Sequence, residues 1–363
     1  MRTLVISDLH LGNRAGNDVL RLAPARERLL EAMDGIDRLV LLGDTVELMN
    51  RRAARSMAIA EPVLRALGRQ LGPGREVVVI PGNHDAPLAR QWALAQGQRL
   101  GLSNEVSPTA SPALERLVGW LAPARTRVAY PGIWLGDGIW ANHGHYLDRH
   151  LIPESAVGLL RPGARRARRT AAEPIDYELH RRLRRRQRHE RFPERLARRP
   201  VGTLVETAAG LLRGALLHQV LHLLMDTGLS RVTAGLLDAQ MRYATVPAMA
   251  RVVERLRVDA DVVLFGHVHR RGPIDSERWP EQTGTRFINT GSWLYEPLLV
   301  DGARPPHGYW PGGAVLLEPG RGPRSVGLLD DLGAEQLHAA PDYLRRRRRM
   351  RSDRELSPSR SPG

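Results

Sequence analysis

Cysteine is absent from all 363 residues, which excludes disulfides, thiolate nucleophiles and sulfur metal ligands and fits a reducing compartment. Lysine is absent too, so all 54 basic side chains are arginines. Arginine forks onto phosphate oxygens in pairs, whereas lysine acts as a point charge. Aromatic residues make up only 5% of the chain, leaving few platforms on which the bases of a single strand could stack. Long apolar runs are missing as well. The longest, from Val201 to Met225, is broken by Glu206, Arg213, His218 and His222 and makes a poor bilayer span. Met1 leads directly into a strand-like run, without the basic start, apolar stretch and cleavage site of a secretory peptide. A cytoplasmic location is therefore expected, with any membrane contact peripheral and at the inner face. What is present is ordinary for a globular protein with a sizeable core: 42% hydrophobic and 26% charged residues. The net charge of +15 points to an anionic partner, either phosphorylated or a membrane surface.

The first 145 residues alternate between strand and helix patterns. Thr3–Ile6, Arg38–Leu42 and Glu76–Ile80 are Val/Ile/Leu-rich runs of the kind buried on both faces of a sheet. Ala25–Met33 and Ala54–Leu71 carry helical spacing between them, and Ile133–Leu135 with Ile139–Ala141 read as a hairpin. Strand patterning resumes at Asp261–Phe265, Arg286–Asn289, Gly313–Leu317 and Ser325–Leu328. The chain thus divides into an α/β domain over 1–145 and 246–330, interrupted by a helical insertion over 146–245. The insertion is Arg-dense over Arg161–Arg199 and amphipathic over Val201–Leu237; a basic, disordered tail is expected over 331–363, with nothing to bury from Arg345 on.

Five polar clusters each follow a strand: Asp8-Leu9-His10, Gly43-Asp44 with Glu47, Gly82-Asn83-His84-Asp85, His143-Gly144-His145, and Gly266-His267-Val268-His269. The carboxyl edge of an open α/β sheet is where ligands bind, so five such turns can converge on one crevice. From them a ligand set of two carboxylates, one amide and four or more imidazoles can be drawn. Mixed nitrogen and oxygen donors suit Mn, Fe, Zn, Co or Ni rather than Ca. Seven ligands are too many for one tetrahedral site but suit two divalent ions with open positions, bridged by one carboxylate through its two oxygens. Such a pair can hold a hydroxide nucleophile and neutralise a phosphoryl group. Taken singly, each cluster reads equally well as a turn or a helix cap; their joint occurrence carries the signal.

The series "DLH", "GDTVE", "GNHD", "HGH" and "GHVH", with "NTGS" at Asn289–Ser292, resembles the calcineurin-like metallophosphoesterase superfamily. The resemblance implies a four-layer α/β/β/α sandwich of two mixed sheets with the metals at one edge. It also implies roles. Asp8, His10 and His269 would hold one metal, Asn83, His143 and His267 the other, and Asp44 would bridge, with manganese the first choice of ion. His84 would lie just outside the ions as the catalytic group that contacts the phosphate or protonates the leaving oxygen. Asp85 either orients His84 or closes its turn. Glu47 resembles the acidic or amide residue three after the bridging Asp, and supports the ligands rather than joining them. His145 lines the cleft or is structural. His218 and His222 share a helical face but have no carboxylate beside them and are read as surface or core residues; His150, His180, His189, His307 and His338 carry no signal.

The two-metal centre does not choose a substrate, so the insertion must. The opening "ISDLHLG" and a helical insertion before the last motif look most like the UDP-2,3-diacylglucosamine pyrophosphatase group, although that group typically has Arg where this chain has His84. Arginine forks followed by an apolar run would suit a nucleotide- or lipid-linked phosphodiester or pyrophosphate at an anionic membrane surface. A nuclease of the double-strand-break-repair type is the second reading, with the arginines tracking a DNA backbone. A non-catalytic scaffold of the same fold is the third; a candidate at every ligand position speaks against it.

Overall fold

The computed structural model describes residues 1–49, 53–136, 138–150, 173–179, 244–274, 277–279, 281, 284–300 and 302–337. Most of the expected insertion, including its amphipathic half, lies outside them, as does the chain from 338 on. No described helix is long and apolar enough to cross a membrane.

Strands β1 (Thr3–Ile6), β2 (Arg38–Leu42) and β3 (Glu76–Ile80) form where expected and pair in parallel, Thr3 opposite Arg38 and Arg38 opposite Glu76. Nearly every one of their residues is buried, as sheet strands covered on both faces require. After β4 (Ser103–Glu105) comes β5 (Arg125–Gly136), then β6 (Ile139–Asn142), β7 (Val262–Phe265), β8 (Arg286–Asn289), β9 (Gly313–Leu317) and β10 (Arg324–Gly327). The order is β10-β9-β1-β2-β3-β5-β6-β7-β8, with β4 beside β5. The hairpin β5–β6 is present, with a bulge between Trp134 and Gly136.

The resemblance leads one to expect two sheets; the hydrogen-bonded path is instead continuous. The twelve-residue β5 is the reason: its first residues pair with β3 and its last with β6. The period-two alternation of strands then sorts side chains into separate apolar clusters. Leu4, Ile6, Leu39, Leu41, Val77 and Val79 pack with α1 (Ala23–Ala32), α2 (Ala53–Leu71) and α4 (Pro112–Trp120). Val5, Val40, Leu42, Val78 and Ile80 pack with Ala141, Val262, Leu264 and Ile288. Trp140, Val263, Phe265 and Phe287 pack with Met249, Val252 and Val253 of a long helix, α6 (Val246–Leu256). Helix α3 (Arg90–Gln96) is short, and α5 (174–179) is a described fragment of the insertion that places Tyr177 in the same cluster as Trp140.

Packing continues beyond residue 331. Leu332 and Leu337 are buried in the cluster that contains α1, because two well-spaced leucines there find an apolar face to cover. Packed structure therefore reaches residue 337.

Candidate metal centre

Asp8 and His10 leave the end of β1, Asp44 that of β2, Asn83 that of β3, His143 that of β6, and His267 and His269 that of β7. The five loops meet. Backbone hydrogen bonds fasten them: Asp8 N–H donates to the Gly43 carbonyl (3.0 Å), His10 N–H to that of Asp44 (2.8 Å), and Gly266 N–H to that of His143 (2.9 Å). From the "NTGS" turn, the Asn289 amide donates to the Gly266 carbonyl at 2.7 Å.

Among the described residues, six that are not glycine have positive φ, and five of them are here: Asp8 (55°), His10 (44°), Asp44 (51°), His267 (73°) and His269 (57°). Left-handed backbone costs a non-glycine residue roughly 1–2 kcal/mol. Strain of this kind persists where the surrounding structure over-determines the geometry, and it clusters at functional sites. Close approach is secured by glycine at two points. A Cβ on Gly43, itself at φ 87°, would overlap the His143 ring, and one on Gly266 would overlap the Ser7 and Asp8 side chains. Gly43→Ala is accordingly expected to cost about 1–3 kcal/mol through overpacking. Urea denaturation checks this, and an unchanged midpoint would show that His143 yields without cost.

The donor atoms are aimed by their neighbours. Asp8 is fully buried; its Oδ2 accepts from the Ser7 hydroxyl and from His267 N–H (2.9 Å). Its Oδ1 has no hydrogen-bond partner among the described residues and faces His269 Nε2 at 3.4 Å and His10 Nε2 at 3.7 Å. Those two imidazole nitrogens are themselves 3.1 Å apart. Asp44 Oδ1 accepts from His84 N–H (2.6 Å), and its Oδ2 lies 3.6 Å from His10 Nε2 and 3.2 Å from His143 Nε2. Asp44 Oδ2 thus faces a histidine from each of the two expected ligand sets, while the backbone of the third loop holds Oδ1. His143 Nδ1 donates to the Leu42 carbonyl at 2.9 Å, which directs Nε2 at Asp44 Oδ2 and at Asn83 Oδ1 (3.2 Å). A nitrogen facing two acceptor oxygens needs either a proton or a cation between them. An unpartnered buried carboxylate oxygen needs the same. The residues present therefore fit divalent cations.

The electrostatics agree. Burial would raise the Asp8 carboxyl, but His143, His10 and His269 more than offset it and hold it well below the usual carboxylate range. Asp44 is likewise driven down against its burial by His143 and His10. Burial would lower both histidines, yet contacts with Asp8 and Glu47 raise His10 to about 10, and Asp44 with Asp8 raises His143 to about 9.

Three sets of donors lie within 4.8 Å of one another: Asp8–His10–His269, Asp44–His143–His267 and His10–Asp44–His84. The first two correspond to the two expected ligand sets, with Asn83 beside the second. The third brings His84 to the rim. Glu47 Oε2 accepts from His84 Nδ1 (2.6 Å) and lies 3.7 Å from His10 Nδ1, so Glu47 orients His84. Its carboxyl falls to about 2: burial would raise it, but bonds from His10 and His84 prevail. Asp85 closes the turn instead. Buried completely, it accepts from Gly82 N–H (2.5 Å) and Thr45 N–H (2.7 Å), tying the third loop to the second. Burial and nearby Asp44 raise its carboxyl to about 6.

His145 is buried with its ring 5.6 Å from that of His143, and its Nε2 lies 3.7 Å from Glu178 Oε1. His150 pairs with Tyr177 through Nε2 at 3.0 Å, and burial lowers the pKa of His307. His180, His189, His218, His222 and His338 lie outside the described residues. Two participants escaped the sequence reading. Asp148 Oδ1 lies 2.8 Å from His267 Nε2, and the carboxylate of Glu178 is wholly buried, accepting from Tyr130 (2.5 Å) and Tyr146 (3.0 Å). The one available signal was an acidic residue five positions after His143, at the head of a segment otherwise rich in arginine.

Comparison with known proteins places this geometry. A search of curated sequences gives no match. Among solved structures, the chain is similar to Yfce, a phosphoesterase from E. coli, at 21% identity over 40% of this chain and 58% of that one, with a TM-score of 0.22. It spans, then, under two thirds of that neighbour's length. The family model for calcineurin-like phosphoesterases matches residues 1–271, from before Asp8 to beyond His269. With three quarters of its length matched and with His/Asp sets suited to the divalent ions such enzymes use, the chain belongs to the calcineurin-like phosphoesterase family, whose members are metal-dependent hydrolases of phosphoesters.

Proposed function

We propose that this chain hydrolyses a phosphodiester or pyrophosphate bond at two divalent ions. Asp8, His10 and His269 hold one, Asn83, His143 and His267 hold the other, and Asp44 is shared. The observation that carries this reading is Asp44 Oδ2, a single buried oxygen placed between His10 Nε2 and His143 Nε2. The division into a catalytic domain over 1–145 and 246–330 around an inserted cap belongs to it, as does a four-layer α/β/β/α arrangement. Two apolar clusters that carry helices and one between them that unites β1–β3 with β6–β8 support the layering.

When bound, the ions supply Lewis acidity and a nucleophile at neutral pH. The protein does the rest. Asp8 and Asp44 hold negative charge at the base of the site, each fixed by hydrogen bonds to one oxygen. His84, its side chain 37% exposed and its Nδ1 held by Glu47, has Nε2 left to meet substrate. As water adds to phosphorus and the bond to the leaving oxygen breaks, His84 gives its Nε2 proton to that oxygen.

The substrate reading is a nucleotide- or lipid-linked phosphate, supported by the arginine-rich and then apolar composition of the insertion. Liposome flotation and DNA retention across a salt series, alongside metal-dependent cleavage of a lipid pyrophosphate and of DNA, test it. DNA cleavage with steeply salt-dependent binding would establish the nuclease instead.

Loading must also release protons. His10 and His143, held at about 10 and about 9 by their carboxylates against their burial, carry protons in the metal-free protein at neutral pH. Ligation displaces both, so affinity should rise by up to ~100-fold per pH unit as both protons are displaced. Stability of the metal-free chain runs the other way. These raised values contribute stability that is complete below the unfolded value of 6.5 and lost as pH climbs through about 9 and 10. Calorimetric titration in buffers of different ionisation enthalpy counts the protons; binding that releases none would contradict the donor assignment.

A further inference from the structure

His267, a proposed ligand, has its Nε2 met by a carboxylate from the first turn of the insertion. Asp148 Oδ1 lies 2.8 Å from His267 Nε2, with Asp148 at 58% and His267 at 15% side-chain exposure. A carboxylate can only accept, so Nε2 is the nitrogen that donates to Asp148, which leaves Nδ1 as the one to offer a lone pair to a cation. Asp148 belongs to none of the donor sets, whereas His267 stands in one with Asp44 and His143. With Nε2 engaged by Asp148, Nδ1 is the nitrogen left to meet a cation, the arrangement in which a carboxylate orients a ligating histidine rather than ligating.

The turn that carries Asp148 is firmly held. It is a 3-10 turn over His145–Arg149. Tyr146 donates to buried Glu178 at 3.0 Å and stacks on Tyr177, with ring centroids 4.5 Å apart and planes 10° from parallel. His150, just past the turn, bonds the Tyr177 hydroxyl at 3.0 Å and accepts Arg251 on its carbonyl at 3.1 Å. Helix α5 of the insertion thus grips both ends of the segment from which Asp148 reaches His267.

We propose that Asp148 is a positioning residue: it fixes the His267 ring with Nδ1 toward the ion shared with Asn83 and His143, so that the first turn of the insertion completes that half of the site. This rests on the two-ion reading above, but one arm of the test does not. Long-range proton–nitrogen spectra of the metal-free full-length protein should show His267 as the Nε2–H tautomer, and Asp148→Ala should remove that preference. Equilibrium dialysis with Mn²⁺ alone should then give two ions for both proteins, with one site weakened about 10–100-fold in Asp148→Ala and the other unchanged. Asp148→Asn, whose amide oxygen still accepts, should recover most of that loss.

Several outcomes would overturn the proposal. These are an Nδ1–H tautomer in the wild type, equal weakening of both sites, wild-type affinities in Asp148→Ala, or an Asn variant as poor as the Ala variant. The last would make Asp148 a charged ligand. Wild-type protein that binds fewer than two ions while His267 keeps its Nε2–H would sink the two-ion reading and leave the Asp148 contact standing.

Discussion

Asp44→Asn should lower Mn²⁺-dependent hydrolysis of bis-(p-nitrophenyl) phosphate by at least about 10²–10³-fold while the chain stays folded. The substitution is nearly isosteric, and Asn tolerates the left-handed backbone that Asp44 adopts at φ 51°. The side-chain oxygen of Asn still accepts from His84 N–H as Asp44 Oδ1 does, so the third loop stays tied to the second. The change falls on the atom facing His10 and His143. There a carboxylate oxygen becomes an amide NH₂, which repels the cation it should attract and cannot serve two ions. Activity measured with matched circular dichroism checks this. Turnover within a factor of a few of wild type would mean that Asp44 is not the shared group and would revive the scaffold reading.

His84→Ala should cost about 10²–10⁴ in kcat, the usual worth of a positioned acid or base, with metal content unchanged. The separation follows from which part of His84 does what. Its backbone N–H fastens Asp44, and alanine retains it; its ring is half exposed, held by Glu47 and edge-on to His10 at 4.6 Å. Glu47→Gln should give a smaller loss in the same parameter, since the amide still accepts from Nδ1 but no longer stabilises the imidazolium. A substrate whose leaving group needs no proton should narrow both deficits. If His84→Ala instead loses an ion, the set His10–Asp44–His84 describes a true ligand set and the acid must be sought elsewhere.

The strands and the donors were legible in the sequence for one reason: the chemistry sits at strand ends. β1, β2, β3, β8 and β9 are short apolar runs with sharp polar stops, and Asp8, Asp44, Asn83 and His267 are within three residues of those stops or of the end of β7. The first half of β5 was not legible, because Arg125-Thr126-Arg127 alternates too weakly to announce a strand, and continuity of the sheet depends on it. Helix α4 did carry a signal that went unread: Ser111 caps the Leu114 N–H ahead of Pro112, a standard helix start. The role of Asp85 could not be read from sequence. Orienting His84 and closing the turn both require an acid at that position, and only the hydrogen bonds to Gly82 and Thr45 decide between them. Asp148 and Glu178 were hidden because their partners, His267 and Tyr130, are distant in the chain, and the spacing of Asp148 from His143 does not by itself mark the contact.

A direct count of bound metal is the most searching test. Full-length protein stripped with chelator, returned to excess Mn²⁺ and dialysed should retain two ions per chain by elemental analysis, and Asp44→Asn should retain fewer. Wild-type protein that comes through the same treatment carrying one ion or none would contradict the shared carboxylate on which the proposed chemistry depends.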